Sequence, residues 1–341
     1  MDSNEAWAPT QARCALAPGR ALLAVDASTG FLSVAVAVAR PNTKRAGNEK
    51  NDGSAPAAPI CELEFWEATA DCGPKQTEAL IPAVEQALGA AGASRNDIAL
   101  IAYAAGPGSF TGLRVGLGFC QGLAVALGAP LIPVPTLEAT ALKTLGAARC
   151  ALCAIDARMG EVYSQWFEIE PGPGGAPLAS PDSPSSPNPP SSPFYPGGPA
   201  REDAPEASAP FGEDNAGAGH VGSRAETRAT LRFGTLIAAP ARLKPLSEAI
   251  VGKAADIRKP ARLDPSAPFA VAGNAAGLAA QFEERRIAAL PSARDFAALA
   301  LDPIRPRRSA LDAPLLYVRD KVALTQKEQE SKYGRPADRL G

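Results

Sequence analysis

Three sets of residues in this 341-residue chain are of kinds that do chemistry. The first is a pair of aspartates, Asp26 and Asp156, each in a short turn between two strand-like runs. Carboxylates placed so can hold a magnesium ion that carries a phosphate. The second is the glycine-rich stretch GPGSFTG from Gly106 to Gly112, which follows an apolar run and opens a helix-spaced one. Backbone amides at such a junction can hold an anion. The third is the CxxC pair Cys150 and Cys153, the spacing of zinc and redox sites.

Each set meets a test from its own neighbours. Around Asp26, the residues Ser28, Thr29 and Gly30 are small, donate hydrogen bonds and let backbone amides approach an anion. The second turn carries Arg158 and Met159 at the matching places, where a close phosphate cradle needs small donors. Arg158 could still reach a distal phosphate; the simpler reading is an Asp156–Arg158 pair that steadies the turn. GPGSFTG is one residue longer than the dinucleotide fingerprint and lacks the GK[ST] of a P-loop. Two readings of it stay open. Gly106, Gly108 and the N-cap candidates Ser109 and Thr111 form an anion contact, or the glycines serve a sharp strand-to-helix turn. Cys150 and Cys153 lie in an apolar strand-like run, where residues three apart face opposite ways. Buried thiols are the expectation. The single histidine, His220, lies in a low-complexity tract, so no histidine triad, metal pair or general base is expected. With Glu161, Asp26 and Asp156 are the only carboxylates in clear turn positions, and no catalytic residue is assigned.

Composition bounds the partners. A formal net charge of −2 offers no basic surplus for a broad nucleic-acid footprint. The N-terminal residues lack a charged segment followed by an unbroken apolar core, and no run of about 20 apolar residues follows. A cytoplasmic chain without membrane contact is expected.

The elements that must position these residues are legible from periodicity. Strands are expected at 21–28, 30–39, 60–68, 98–106 and 130–135, and as a pair across 150–170. Helices are expected at 75–92, 111–127, from Thr136, and at 292–301. Segments 229–240 and 268–274 complete a second α/β half. Two insertions interrupt the pattern, 41–59 and about 170–228. The second has 11 prolines between Pro171 and Ala200 and cannot bury enough apolar surface to fold, so disorder is expected. The domain reading is a flexible tail at 1–20, halves at 21–148 and 149–319, and a tail at 320–341.

The two halves are related. AVDASTG (24–30) aligns without gaps on AIDARMG (154–160), each between one strand-like run and the next. Two hairpins whose turns carry an aspartate resemble the plan of the duplicated actin-like (ASKHA, RNase H-like) fold, in which the turns face each other across a nucleotide cleft.

The helix at 111–127 carries Gly112, Gly116, Gly118 and Gly122. Each interior glycine costs about 0.8–1 kcal/mol against alanine, so the four together forfeit roughly 3–4 kcal/mol. Spaced four apart, they form two shallow strips, 112/116 and 118/122/126. Such strips admit a close neighbour, internal or external. Arg114 and Gln121 between them, and an alanine face on helix 75–92 at Ala79, Ala83, Ala87 and Ala90, favour an external partner.

LLAVDASTGFLSVAVA, GPGSFTGLRVGLGFCQGLAVALGAPLIPVPTLEA, DARMGEVY and PLLYVRDKVA together resemble the TsaB (YeaZ) family of tRNA threonylcarbamoyladenosine biosynthesis proteins. The resemblance implies an actin-like fold close to that of the catalytic subunit TsaD but without its activity. It implies a scaffold that docks TsaD through first-half helices, forms a homodimer without it, is joined by the ATPase TsaE, and meets tRNA only indirectly. Threonylcarbamoyl is thereby moved onto N6 of adenosine 37. ATP and magnesium are then needs of the complex, with no cofactor in this chain. Asp26, Ser28, Thr29, Gly106, Gly108, Ser109, Asp156 and Arg158 become a relic or weak nucleotide contact. The competing expectation is a magnesium-dependent ATPase or phosphotransferase acting alone. Gln76 stands where relatives often carry histidine, which removes an expected polar contact.

Overall fold

The computed structural model describes residues 16–41, 61–171, 230–236, 238, 240–263, 266–275 and 286–318. The expectations for His220, for the tail at 320–341 and for most of both insertions lie outside these residues.

The alternation in ALLAVD and FLSVAVAVA builds the first sheet. β1 (Ala21–Asp26) pairs antiparallel with β2 (Phe31–Pro41), and β2 with β3 (Cys61–Asp71). On the other side of β1, β4 (Ile98–Gly106) and then β5 (Leu131–Pro135) run parallel. Period-two alternation sends Val34, Val36 and Val38 to one face, and Ala35, Ala37 and Ala39 to the other. The valine face is covered by α1 (Gln76–Ala91) and α2 (Phe110–Leu127). Gly92 and Gly128, both left-handed, end these helices.

The second sheet repeats this plan. β6 (Cys150–Arg158) pairs antiparallel with β7 (Glu161–Pro171), and parallel with β11 (Ala270–Ala272), which runs parallel to β12 (Arg286–Ile287). The far edge of β7 takes β9 (Ala241–Pro245) and β10 (Ile250–Gly252). The order β3-β2-β1-β4-β5 thus recurs as β10-β7-β6-β11-β12. This is the duplicated actin-like α/β plan.

β9, β10 and β12 lie outside the strands expected from sequence, and three further features differ. β8 (Thr230–Thr235), assigned to the second half, pairs antiparallel with β3 and extends the first sheet. α3 (Thr136–Ala141) packs on β6 and β7, whereas α4 (Ala293–Ala300) packs on β1 and β2, so each half lends a helix to the other's sheet. The alanine face of β2 explains the second contact, because side chains that short let a helix lie close. Residues 16–20, read as tail, are built in. Leu16 is buried in the core between the sheets, and the Arg20 guanidinium donates to the Asn96 carbonyl.

A buried polar latch crosses between the halves. The Ser33 hydroxyl donates to Glu67 Oε1 (3.0 Å), while the backbone amides of Ala293 and Arg294 donate to Ser33 Oγ (2.9 Å) and Glu67 Oε1 (3.0 Å). A carboxylate from the first sheet thus meets the positive end of α4. Asp295, capping the same helix, pairs with Lys143 at 2.5 Å.

Candidate functional site

The two aspartate turns lie on opposite sides of one cleft, a cavity of about 450 Å³. Ser28, Thr29, Gly108 and Ser109 line one wall, and Asp156, Arg158, Met159 and Asn274 the other. Phe110, Tyr163 and Tyr317 also line it.

The first turn is held from behind. Ser28 donates both its amide (2.8 Å) and its hydroxyl (2.6 Å) to Asp26 Oδ1. Asp26 is buried and does not line the cleft. Burial pushes its carboxyl up to about 6. The Ser28 hydrogen bonds oppose that rise, and the charges of Asp295 and Glu67 add to it.

The glycine loop is pressed onto this turn. Ser109 donates its amide to the Ser28 carbonyl at 2.7 Å, and any Cβ at Gly108 would strike that same carbonyl. A Cβ at Gly112 would strike the Ala27 carbonyl and approach Gln76 Oε1 to 2.6 Å. Gly116 faces Ala27 and Val25 at ordinary contact distance, 3.5 and 3.8 Å for a built Cβ. Gly106 has φ +101, and a Cβ there would meet the Leu316 carbonyl at 2.7 Å. Ser109 does cap α2, its hydroxyl oxygen accepting from the Gly112 amide.

The second turn is built otherwise. Met159 (φ 57) and Gly160 (φ 76) both have positive φ, as a two-residue hairpin turn requires, and Arg158 before them is also left-handed at φ 64. The expected Asp156–Arg158 pair is made by the Arg158 backbone amide, which donates to Asp156 Oδ1 at 2.8 Å. Behind it, Asn274 Oδ1 accepts from the Asp156 amide at 3.0 Å, and a Cβ at Gly273 would strike the Ala154 carbonyl. A glycine backed against an aspartate turn therefore occurs in both halves.

A magnesium nucleotide held by both turns does not fit these residues. Asp26 is buried with Oδ1 engaged by Ser28, and of the two aspartates only Asp156 lines the cleft. Among the described residues no group of three or more His, Cys, Asp or Glu side chains could hold a metal ion. Cys150 and Cys153 are free and buried in two separate apolar clusters, one on each face of β6.

The glycine helix divides sharply. Gly112, Leu113, Gly116, Cys120 and Ala124 are its buried face. Gly112 and Gly116 are therefore corrected from an external strip to internal packing on the first turn, and Ala83, 2% exposed against the sheet, is corrected with them. Ala79 is half-buried. Gly118 and Gly122 point outward into open space, and Val125 beyond them is 72% exposed. α2 is also the one described helix long and apolar enough, by length and composition, to cross a membrane, though its inner face packs on β4 and β1.

Residues 305–318 form a strap across this region. Arg308 and Leu131 exchange backbone hydrogen bonds, Gln121 donates to the Ala310 carbonyl (2.7 Å), and Tyr103 donates to the Pro314 carbonyl (2.7 Å). Gln121 thus serves the chain itself. Gln76 keeps a polar contact after all, donating to the Thr29 carbonyl at 2.6 Å. Sequence reasoning missed Asn274, Tyr317 and the Ser33–Glu67 latch. For Asn274 a signal existed: it follows a glycine at the end of the strand parallel to β6, as Gly106–Gly108 follow the strand parallel to β1.

The chain is similar to known proteins over part of its length. The family model described as "TsaD: tRNA N6-adenosine threonylcarbamoyltransferase" matches residues 72–171. The tRNA threonylcarbamoyladenosine biosynthesis protein TsaB of Escherichia coli (strain K12) is 42% identical over 123 residues, covering 33% of this chain and 52% of that protein. The protein of the same name from Haemophilus influenzae is 43% identical over 89 residues, covering 26% and 38%. The chain thus spans about half or less of the length of these relatives. A solved structure, described as an uncharacterized protein with similarity to peptidase YEAZ from Pseudomonas aeruginosa, superposes with a TM-score of 0.53 at 22% identity, covering 88% of this chain and 100% of that one. That likeness shows the fold.

Proposed function

From the similarity of this chain to the TsaB (YeaZ) family, borne out by these relatives, we propose that it is a non-catalytic accessory subunit in threonylcarbamoyl transfer to N6 of adenosine 37 of tRNA. It docks a TsaD-type catalytic subunit through the outward faces of α1 and α2. TsaE joins that pair, the free chain self-associates, and tRNA is met only through the assembly, in the cytoplasm. ATP and magnesium are bound elsewhere in the complex.

The observation that carries this reading is the two-sidedness of α2. Its inner glycines are explained by the Ala27 and Val25 contacts, but a Cβ at Gly118 or Gly122 would meet nothing among the described residues, so their helix-weakening cost has no return there. A close-approaching helix from another chain supplies one. Docking is therefore assigned to Gly118, Gly122 and Arg114, with Ala79 at the margin. The inward turn of Asp26 supports the non-catalytic role, since it leaves the cleft without paired carboxylates.

The test is sedimentation of the chain alone and with TsaD from the same organism, with and without ATP and magnesium. A stoichiometric complex is expected, weakened in Gly122→Leu while the unfolding midpoint does not fall. ATP turnover by the isolated chain that disappears in Asp156→Ala would instead support an independent ATPase.

A further inference from the structure

Arg114 is the only charged residue of α2, and it is exposed. Its guanidinium is nonetheless fixed on two sides. The carbon Cζ lies 3.6 Å from the centroid of the Phe110 ring and 5.9 Å from that of Tyr317, whose hydroxyl accepts from Nε at 3.3 Å. The two rings, 6.1 Å apart, are themselves 40% and 50% exposed. A cation stacked on aromatic faces is attracted by their quadrupoles and loses the freedom of a surface arginine. Among the described residues its two terminal nitrogens have no hydrogen-bond partner. The outcome is a rigid, outward-facing planar fork, which matches a carboxylate with two parallel hydrogen bonds.

Resting on the docking reading above, we propose that Arg114, held by Phe110 and Tyr317, is the anchor that receives a carboxylate side chain from the docking partner. On the side of Arg114 away from the cleft, a protein carboxylate suits the surroundings better than a phosphate. Gly118 lies one turn along the same face and Gly122 two turns, followed by Val125, and none offers a further donor side chain to a polyanion. Exposed aromatic residues beside an arginine are also the composition of interface hot spots. The strap belongs to the docking surface on this account, because Tyr317 orients the arginine.

The experiment titrates the full chain with the catalytic partner by sedimentation, using wild type, Arg114→Lys, Arg114→Ala and Gly122→Leu, at low and high salt. Both arginine variants should weaken the complex about tenfold or more, because lysine keeps the charge but not the fork. Wild-type affinity should fall with salt more steeply than that of Arg114→Ala. Unfolding midpoints of the arginine variants should match wild type, and inorganic phosphate at constant ionic strength should not compete. Lysine performing as well as arginine overturns the fork, and competition by phosphate overturns the carboxylate assignment. If Gly122→Leu weakens the complex and Arg114→Ala does not, the anchor fails while docking stands. If wild type forms no complex, the docking reading fails first and the anchor with it.

Discussion

Gly112 sits so close to Ala27 that a methyl group on it would overlap the Ala27 carbonyl oxygen. The start of α2 and the first aspartate turn are therefore one packed unit, further tied by the Ser109 amide and by Gln76. A methyl group on Gly118 or Gly122, on the other face of the same helix, would meet nothing among the described residues.

That asymmetry separates the glycines by experiment. Gly112→Ala should destabilise the chain by about 3 kcal/mol, the upper range for overpacking against a backbone that cannot move aside. Gly118→Ala and Gly122→Ala should each stabilise it by about 0.5–1 kcal/mol, the helix-propensity gain. Urea unfolding of the three variants measures this. Equal effects at Gly112 and Gly118 would remove the distinction between the faces.

Asp26 gives a pH dependence of definite sign. Its folded-state carboxyl is raised from 3.8 to about 6, so the folded chain binds this proton more tightly than the unfolded one. The stabilisation is fully present below pH 3.8 and is lost as pH rises to about 6, by about 3 kcal/mol at most. Asp26→Asn keeps an acceptor for Ser28 but has no proton to lose. Relative to this variant, wild-type stability should decline between pH 4 and 6 and then level off. Parallel pH profiles of the two proteins would contradict the burial account.

The latch at α4 predicts a local effect. Glu67→Ala leaves the Arg294 amide and the Ser33 hydroxyl without their buried acceptor, and should cost about 2–3 kcal/mol. Glu67→Gln, which keeps an acceptor oxygen, should cost less. Hydrogen exchange should show faster exchange at Ala293 and Arg294 in the alanine variant than in wild type. Unchanged protection there would mean that the Glu67 latch does not hold α4 in place.

Met159 is left-handed at φ 57 and 81% exposed. A side chain in that conformation costs about 1–2 kcal/mol, part of which glycine returns to the unfolded state, so Met159→Gly should stabilise by about 0.5–1 kcal/mol. Thermal unfolding would show a raised midpoint. A lowered midpoint would mean that the methionine makes contacts worth more than its strain.

Much of the architecture was legible in local pattern. The VAVAVA run of β2, the glycine stops of α1 and α2, the Ser109 cap and the matched AVDASTG and AIDARMG turns all depend on residues within a few positions of one another. The split of Cys150 and Cys153 to opposite faces of β6 follows from strand alternation alone. The candidate site was less legible. Gly112 and Gly116 were indistinguishable in sequence from Gly118 and Gly122, because helical spacing groups residues by face without telling which face is covered.

By itself, then, the sequence determined most of the strands and helices, the duplicated halves and the resemblance to TsaB, since period, capping and turn chemistry are short-range; β9, β10 and β12, and the facing of the two turns across one cleft, lie beyond that range. Only the tertiary structure decided the rest. It sent Asp26 inward to Ser28, placed β8 on β3, exchanged α3 and α4 between the sheets, and stacked Arg114 between Phe110 and Tyr317. These outcomes join residues as much as 260 positions apart, as in the Ala293–Ser33 hydrogen bond. They depend on which carbonyl, ring or carboxylate the folded chain brings into reach, and no local period encodes that.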